Sequence, residues 1–116
     1  MNIYHRPWGS FGNLKTGKNW HIKIIDVLKG KRLSLQSHKL RDELWIVLEG
    51  QGAALVENME SRKIFSNKLK VGDKIFIPRG AKHRLVAITV LKVAEISFGK
   101  FNENDIRRYE DDFGRI

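Results

Sequence analysis

The run Gly30-Lys31-Arg32-Leu33-Ser34-Leu35-Gln36-Ser37-His38-Lys39-Leu40-Arg41-Asp42-Glu43-Leu44-Trp45-Ile46-Val47-Leu48-Glu49-Gly50 decides how this chain is read. Gln36 and His38 are two residues apart, so on a strand both side chains project from the same face. Glu43 follows after a gap long enough for a tight turn and can return to that face from the next strand. A second stretch, Gly72 to His83, holds Pro78-Arg79-Gly80 and sets His83 at the start of another strand. Imidazole nitrogens with oxygen donors suit a divalent ion of intermediate hardness, such as Zn, Fe, Mn, Co or Ni. Two His, one Glu and one amide oxygen would leave coordination positions open for water or substrate. Taken alone, a His and a Glu at this spacing also fit a polar surface, so the frame around them carries the weight.

That frame is β-rich. Ile22 to Leu28, Arg32 to Gln36, Leu44 to Leu48, Ala53 to Glu57, Lys63 to Ser66, Lys74 to Ile77, Arg84 to Ile88 and Leu91 to Ser97 all read as strands. Several alternate with period two, as in Leu91-Lys92-Val93-Ala94-Glu95-Ile96. Turn signals separate them: Lys29-Gly30-Lys31, Glu49-Gly50-Gln51-Gly52, Val71-Gly72-Asp73 and Pro78-Arg79-Gly80. Short strands at close spacing with glycine turns predict an all-β sandwich or barrel. Tyr4 to Phe11, with Arg6-Pro7-Trp8-Gly9, is too broken for a core strand and is expected as an arm or an edge. Asn102 to Tyr109 has an N-cap residue and acidic Glu103 and Asp105 in its first turn, which predicts one short helix. No linker is visible, so a single domain is expected: an arm over about 1–20, a barrel over about 21–99 and a tail over about 100–116.

Composition narrows the class. A chain of 116 residues with a hydrophobic fraction of 41% builds one globular unit. The mean hydropathy is −0.39, and no apolar run reaches the roughly 20 residues of a membrane span. No apolar signal-peptide core occupies the first dozen residues, so a cytoplasmic protein with no membrane partner is expected. There is no cysteine, which excludes disulfides and thiolate metal sites. The net charge of +9 attracts polyanions, but the charges are scattered. A phosphosugar site explains them at least as well as nucleic acid, which is not expected as a partner.

The frame resembles the cupin superfamily, whose fold is a double-stranded β-helix or jelly-roll barrel. The first cupin motif is matched by Gly30, five residues, Gln36-Ser37-His38, four residues, Glu43, six residues and Gly50, with Gln where cupins carry a first His. The second is matched by Gly72, Pro78-Arg79-Gly80 and His83, with Ala87 in place of the final Asn. The resemblance implies that Gln36, His38, Glu43 and His83 point into the barrel and hold one metal ion, zinc foremost. It goes further. Arg6-Pro7-Trp8-Gly9, Leu33 to His38, Arg41-Asp42-Glu43-Leu44-Trp45, Ile77 to Arg84 and the tail Glu103 to Arg115 look like the type II mannose-6-phosphate isomerase domain. Gln at the first ligand position is typical of that group. In many relatives this domain is the C-terminal part of an enzyme that also has mannose-1-phosphate guanylyltransferase activity. The sequence has no nucleotidyltransferase region, so guanylyl transfer is not expected of it. A histidine often found near the first motif in that family is also missing: Lys39-Leu40 precede Arg41 and Leu44 follows Glu43.

The resemblance implies interconversion of mannose 6-phosphate and fructose 6-phosphate, feeding GDP-mannose and polysaccharide synthesis. The chemistry is proton abstraction beside a carbonyl, and the metal would stabilise the developing oxyanion. Lys23 matches a family lysine and is a candidate for the base, since a buried lysine can titrate low enough to act; a solvent-facing lysine is the plainer reading. Arg41 is a candidate for a phosphate or sugar oxyanion, because its planar fork makes paired hydrogen bonds. Arg84 follows His83 and should face away from it. Trp45 shares a face with Glu43 and is expected in the core. Arg6 and Trp8 would close the barrel mouth. Exposed strand edges favour a homodimer. A sugar-phosphate-binding cupin without turnover, or a partner of a separate nucleotidyltransferase, is the alternative, because fold does not fix function.

Overall fold

Period-two alternation of buried and part-exposed residues runs through Trp20–Val27, Arg41–Glu49 and Leu91–Gly99 in the computed structural model, which describes all residues, Met1–Ile116. The strands are β1 (Ile3–Arg6), β2 (Gly9–Thr16), β3 (Trp20–Val27), β4 (Leu35–Ser37), β5 (Arg41–Glu49), β6 (Gly52–Glu57), β7 (Ile64–Leu69), β8 (Lys74–Ile77), β9 (His83–Ala87), β10 (Leu91–Gly99) and β11 (Arg107–Glu110). They form a six-stranded sheet in the order β1-β2-β3-β10-β5-β8 and a five-stranded sheet in the order β11-β4-β9-β6-β7. Every pairing is antiparallel. The two sheets close over one interior, as the cupin resemblance implies. There is no helix, and hence none long and apolar enough to cross a membrane.

The interior is divided by level. On β3 the inward residues run His21, Lys23, Ile25, Val27; on β5 they run Arg41, Glu43, Trp45, Val47. On β10 the order is reversed, Leu91, Val93, Glu95, Ser97, as antiparallel pairing requires. In register, Val93 lies beside Ile25 and Val47, while Glu95 lies beside Lys23 and Trp45. On β9, His83 is followed inward by Leu85 and Ala87. One end of the barrel is therefore packed with aliphatic side chains, and the other is lined with buried polar ones. Ile25, Val27, Val47, Leu85, Leu91 and Val93 are 2% exposed or less. Each such burial is worth about 1.5–3 kcal/mol, which anchors the polar end on a rigid base. Trp45, 1% exposed, is the boundary.

The glycines of the motif are turn residues. Gly30, Gly50 and Gly72 have φ of +75°, +85° and +91°, where a side chain is strained. At Gly50 a Cβ would also run into the Val90 carbonyl oxygen, whereas Gly30 and Gly72 face open space.

Three expectations change. The stretch Asn102 to Tyr109 is not a helix: a turn leads into β11, which pairs with β4. Asn102 Oδ1 accepts the Asn104 N–H at 2.9 Å, and the open edge of β4 offers backbone partners that a seven-residue helix could not match. The run from Arg32 becomes a strand only at Leu35, with a single bridge from Arg32 to Val86 before it. Residues 4–11 belong to the first sheet, β1 as its edge and β2 inside it, and Trp8 and Phe11 are buried.

Candidate metal centre

His38, Glu43 and His83 meet at the polar end of the barrel, one from the β4–β5 connection, one from β5 and one from the start of β9. All three are buried, at 3%, 1% and 1% exposure. Their donor atoms lie within 4.8 Å of one another. The His38 Nε2 is 3.5 Å from Glu43 Oε2, and the His83 Nε2 is 3.4 Å from Glu43 Oε1.

The outer nitrogens fix the tautomers. His38 Nδ1 lies 2.7 Å from the Asp105 carbonyl oxygen and His83 Nδ1 lies 3.0 Å from that of Ala81. A carbonyl only accepts, so Nδ1 carries the hydrogen in a neutral ring and Nε2 presents a lone pair to the centre. Burial drives the His38 pKa down to about 4, helped by the neighbouring Arg41 and His83. Burial also lowers that of His83. Both rings are therefore neutral near pH 7, and their approach to Glu43 is a meeting of donor lone pairs rather than two ion pairs.

Such a meeting needs something between. His83 Nε2 and Glu43 Oε1 are buried and have no hydrogen-bond partner. Two neutral imidazoles and a carboxylate with orphaned inward atoms are the donor set that an intermediate divalent cation satisfies. The residues present fit a metal ion. Gln36 lines the same cavity from β4, directly beside His83 in register, and its amide oxygen accepts a hydrogen bond from Ser34 Oγ at 3.1 Å.

Of the cluster, His38 opens onto a cavity also lined by Gln36, Arg41, Lys23, Glu95 and Arg108. Arg41 is the first residue of β5, 5% exposed, with Nε donating to Glu43 Oε2 at 3.0 Å and Nη2 donating to His38 Nε2 at 3.2 Å. Lys23 is inward-facing and 8% exposed, its ammonium over the Phe11 ring and 3.5 Å from Glu103 Oε1. The solvent-facing alternative for Lys23 does not hold. Arg84 does turn away from His83, but it is buried, donating to the Leu33 carbonyl at 2.7 Å and pairing with Glu110. Trp45 sits in the core with its ring edge-on to His83.

Glu95 is a site residue that the sequence reading passed over. It is 5% exposed and lines the cavity. Burial, then the negative charge of Glu43, raises its pKa to about 7. The signal was there: alternation through Leu91, Val93 and Glu95 puts a carboxylate on the inward face of a strand. The tail is a second omission. It supplies the His38 acceptor through the Asp105 backbone, while the Asp105 carboxylate takes the Lys39 and Leu40 N–H groups at 2.9 Å each.

The model of the family described as mannose-6-phosphate isomerase C-terminal matches residues 2–111. The chain belongs to this family. Its curated relatives include "Mannose-1-phosphate guanylyltransferase ManC" of Salmonella typhimurium, 33% identical over 97% of this chain and 23% of the relative. "Alginate biosynthesis protein AlgA" of Pseudomonas aeruginosa is 36% identical over 96% of this chain and 22% of the relative. "Xanthan biosynthesis protein XanB" of Xanthomonas campestris pv. campestris is 35% identical over 96% and 23%. The chain thus spans under a quarter of the length of these relatives. Among solved structures, oxalate decarboxylase from Bacillus subtilis superposes with a TM-score of 0.83 at 18% identity, covering 92% of this chain and 29% of that one. The capsular polysaccharide assembling protein CapF from Staphylococcus aureus gives 0.80 at 18% identity, covering 94% and 34%. These likenesses establish the cupin fold. Membership of the mannose-6-phosphate isomerase C-terminal family agrees with the motifs Gly30 to Gly50 and Gly72 to His83.

Proposed function

We propose that this chain is a metal-dependent aldose–ketose isomerase that interconverts mannose 6-phosphate and fructose 6-phosphate, in the cytoplasm and as a homodimer, in supply of GDP-mannose and polysaccharide synthesis. The observation that carries the reading is the buried cluster of neutral His38 and His83 around Glu43, with His83 Nε2 and Glu43 Oε1 unsatisfied, behind a cation-rich cavity that His38 and Gln36 line. His38, Glu43 and His83, with the Gln36 amide beside them, would hold one divalent ion, zinc foremost. When bound, that ion supplies Lewis acidity to the sugar carbonyl and its adjacent hydroxyl.

The protein's own groups do the rest. Arg41, held by Glu43 Oε2 and with its Nη2 released from His38 Nε2 when that nitrogen holds the ion, presents its guanidinium to a sugar oxygen on which negative charge develops. Glu95 and Lys23 face each other in register across β10 and β3 and line the cavity. Glu95 takes the C2 proton of the open-chain aldose and returns it to C1, while the O2 hydroxyl proton passes to O1; the positive charge of Lys23 nearby favours the ionised form of Glu95 that accepts the proton. Trp8 and Phe11 wall off one side, keeping water from the enediol.

The test is turnover. The purified chain, loaded with zinc, manganese or cobalt, is given mannose 6-phosphate and fructose 6-phosphate is followed. Conversion is expected. No conversion with any metal, together with retained sugar-phosphate binding, would replace this reading with that of a binding module or a partner of a separate nucleotidyltransferase. His38→Ala and His83→Ala are each expected to lose the metal on dialysis; unchanged metal content in both would refute the centre.

A further inference from the structure

Five cationic side chains line the cavity: Arg6, Lys23, Arg41, Arg108 and Arg115. Three are already engaged. Lys23 pairs with Glu103, Arg41 with Glu43, and Arg115 with Asp111, the last through two oxygens at 2.8 and 2.9 Å. Arg6 and Arg108 have no acidic partner. Arg6 donates only to the His5 carbonyl, with its guanidinium over the Phe11 ring. Arg108 has a buried Nε that meets no acceptor at all. A buried guanidinium N–H without an acceptor is costly, and a cavity is where an incoming anion relieves that cost.

The register places this vacancy. Arg108 on β11 lies directly beside Gln36 on β4, and Gln36 lies directly beside His83 on β9. Neighbouring strands are about 4.8 Å apart, so along the sheet Arg108 stands one strand from Gln36 and about 10 Å from His83, on the same face. That separation suits a molecule that reacts at one end and carries a phosphate at the other, as a hexose 6-phosphate does. Arg41 was the sequence-based candidate for phosphate, but it is bonded to Glu43 and His38 and stands at the reacting end.

We propose that Arg108 and Arg6 form the phosphate subsite of the cavity and set its preference for a phosphorylated sugar. The proposal rests on the isomerase reading for the identity of the sugar. The two arginines come from β11 and from β1, in different sheets, and line the same cavity. A phosphate there takes paired N–H donors from Arg108 and a further one from Arg6.

The test uses the full chain loaded with zinc, with affinities for mannose 6-phosphate, mannose and inorganic phosphate read by NMR titration. Arg108→Gln is expected to weaken mannose 6-phosphate and inorganic phosphate by about 10- to 100-fold, leaving mannose affinity and metal content unchanged. Arg6→Gln is expected to act in the same direction, more weakly, because Arg6 is more exposed. Arg62→Gln, an exposed arginine outside the cavity, is expected to change nothing. Should Arg108→Gln not fold, Arg108→Lys and Arg6→Gln carry the test, with Lys retaining part of the phosphate affinity. Phosphate affinities equal to wild type in the folded variants would overturn the subsite. Failure of the isomerase reading looks different: no turnover, with sugar-phosphate binding that still depends on Arg108. Normal turnover with an unchanged KM in both variants would sink the subsite and spare the isomerase.

Discussion

Arg41 is the residue on which the buried charges of the site balance. It is 5% exposed and donates to a carboxylate that is 1% exposed. Removing one partner of such a pair strands the other, at about 3–5 kcal/mol. Arg41→Ala should therefore destabilise the metal-free chain by about 3 kcal/mol in urea unfolding, and a loss under 1 kcal/mol would show that Glu43 does not depend on it. Glu95→Gln should lower kcat by at least about 100-fold with metal content intact, if it carries the proton. The same variant tests the electrostatics of the apo chain. His38 is held neutral down to a pKa of about 4, so below its unfolded value of 6.5 the unfolded chain binds more protons, and this stability falls as pH drops toward 4. Glu95 has the opposite sign: the folded chain holds its proton up to about 7, so its contribution is full below 4.5 and lost as pH rises through 7. The two oppose each other between pH 4.5 and 6.5. Glu95→Gln should make the rise of stability with pH steeper in that window, which denaturation at several pH values measures. His38, Glu43 and His83 were legible because they sit at the spacings of the cupin motifs from the turn glycines Gly30, Gly50 and Gly72. Glu95 was not, since a lone carboxylate in an alternating strand acquires meaning only from its cross-strand neighbours Lys23 and Trp45.

At the level of elements, the turns separate the positions that need glycine for its backbone from those that need it for space. Gly30→Ala and Gly72→Ala face open solvent and should cost about 1–2 kcal/mol from the left-handed backbone alone. Gly50→Ala adds a collision with the Val90 carbonyl, worth about 1–3 kcal/mol more. Thermal unfolding of the three variants should rank Gly50→Ala lowest. The strands with clear alternation and glycine ends, such as Ile22 to Leu28 and Leu91 to Ser97, could be read from sequence to within a few residues. The tail could not. Its local signals, Asn102 with Glu103 and Asp105, resemble a helix start, and only the unpaired edge of β4 makes Arg107–Glu110 a strand. That edge lies seventy residues away in the chain, beyond the reach of any local pattern.

Across the whole molecule, the outer face of the six-stranded sheet carries an apolar patch of its own. Ile22, Ile96, Leu44 and Phe76 lie in one cross-strand row, and Ile24, Ala94 and Ile46 in the next, which ends on Lys74 at the sheet edge. On a chain of net charge +9 the apolar centre of this patch is a surface on which a second copy meets little repulsion, and a two-fold contact requires the same patch on both sides. Light scattering should give twice the monomer mass, and Ile96→Lys, which puts a charge at the centre of the row, should give the monomer; a monomeric wild type would dismiss the homodimer. The rim of the cavity has a different character. Arg6 is on β1 and Arg108 on β11, and each of these strands has a hydrogen-bonded neighbour on one side only. Strands held along one side breathe more readily than those held along two. The cavity can thus admit and release a solute by loosening its outermost ribbons while the aliphatic end stays shut, and a bound phosphate that ties those ribbons together would be seen as slowed amide exchange in both.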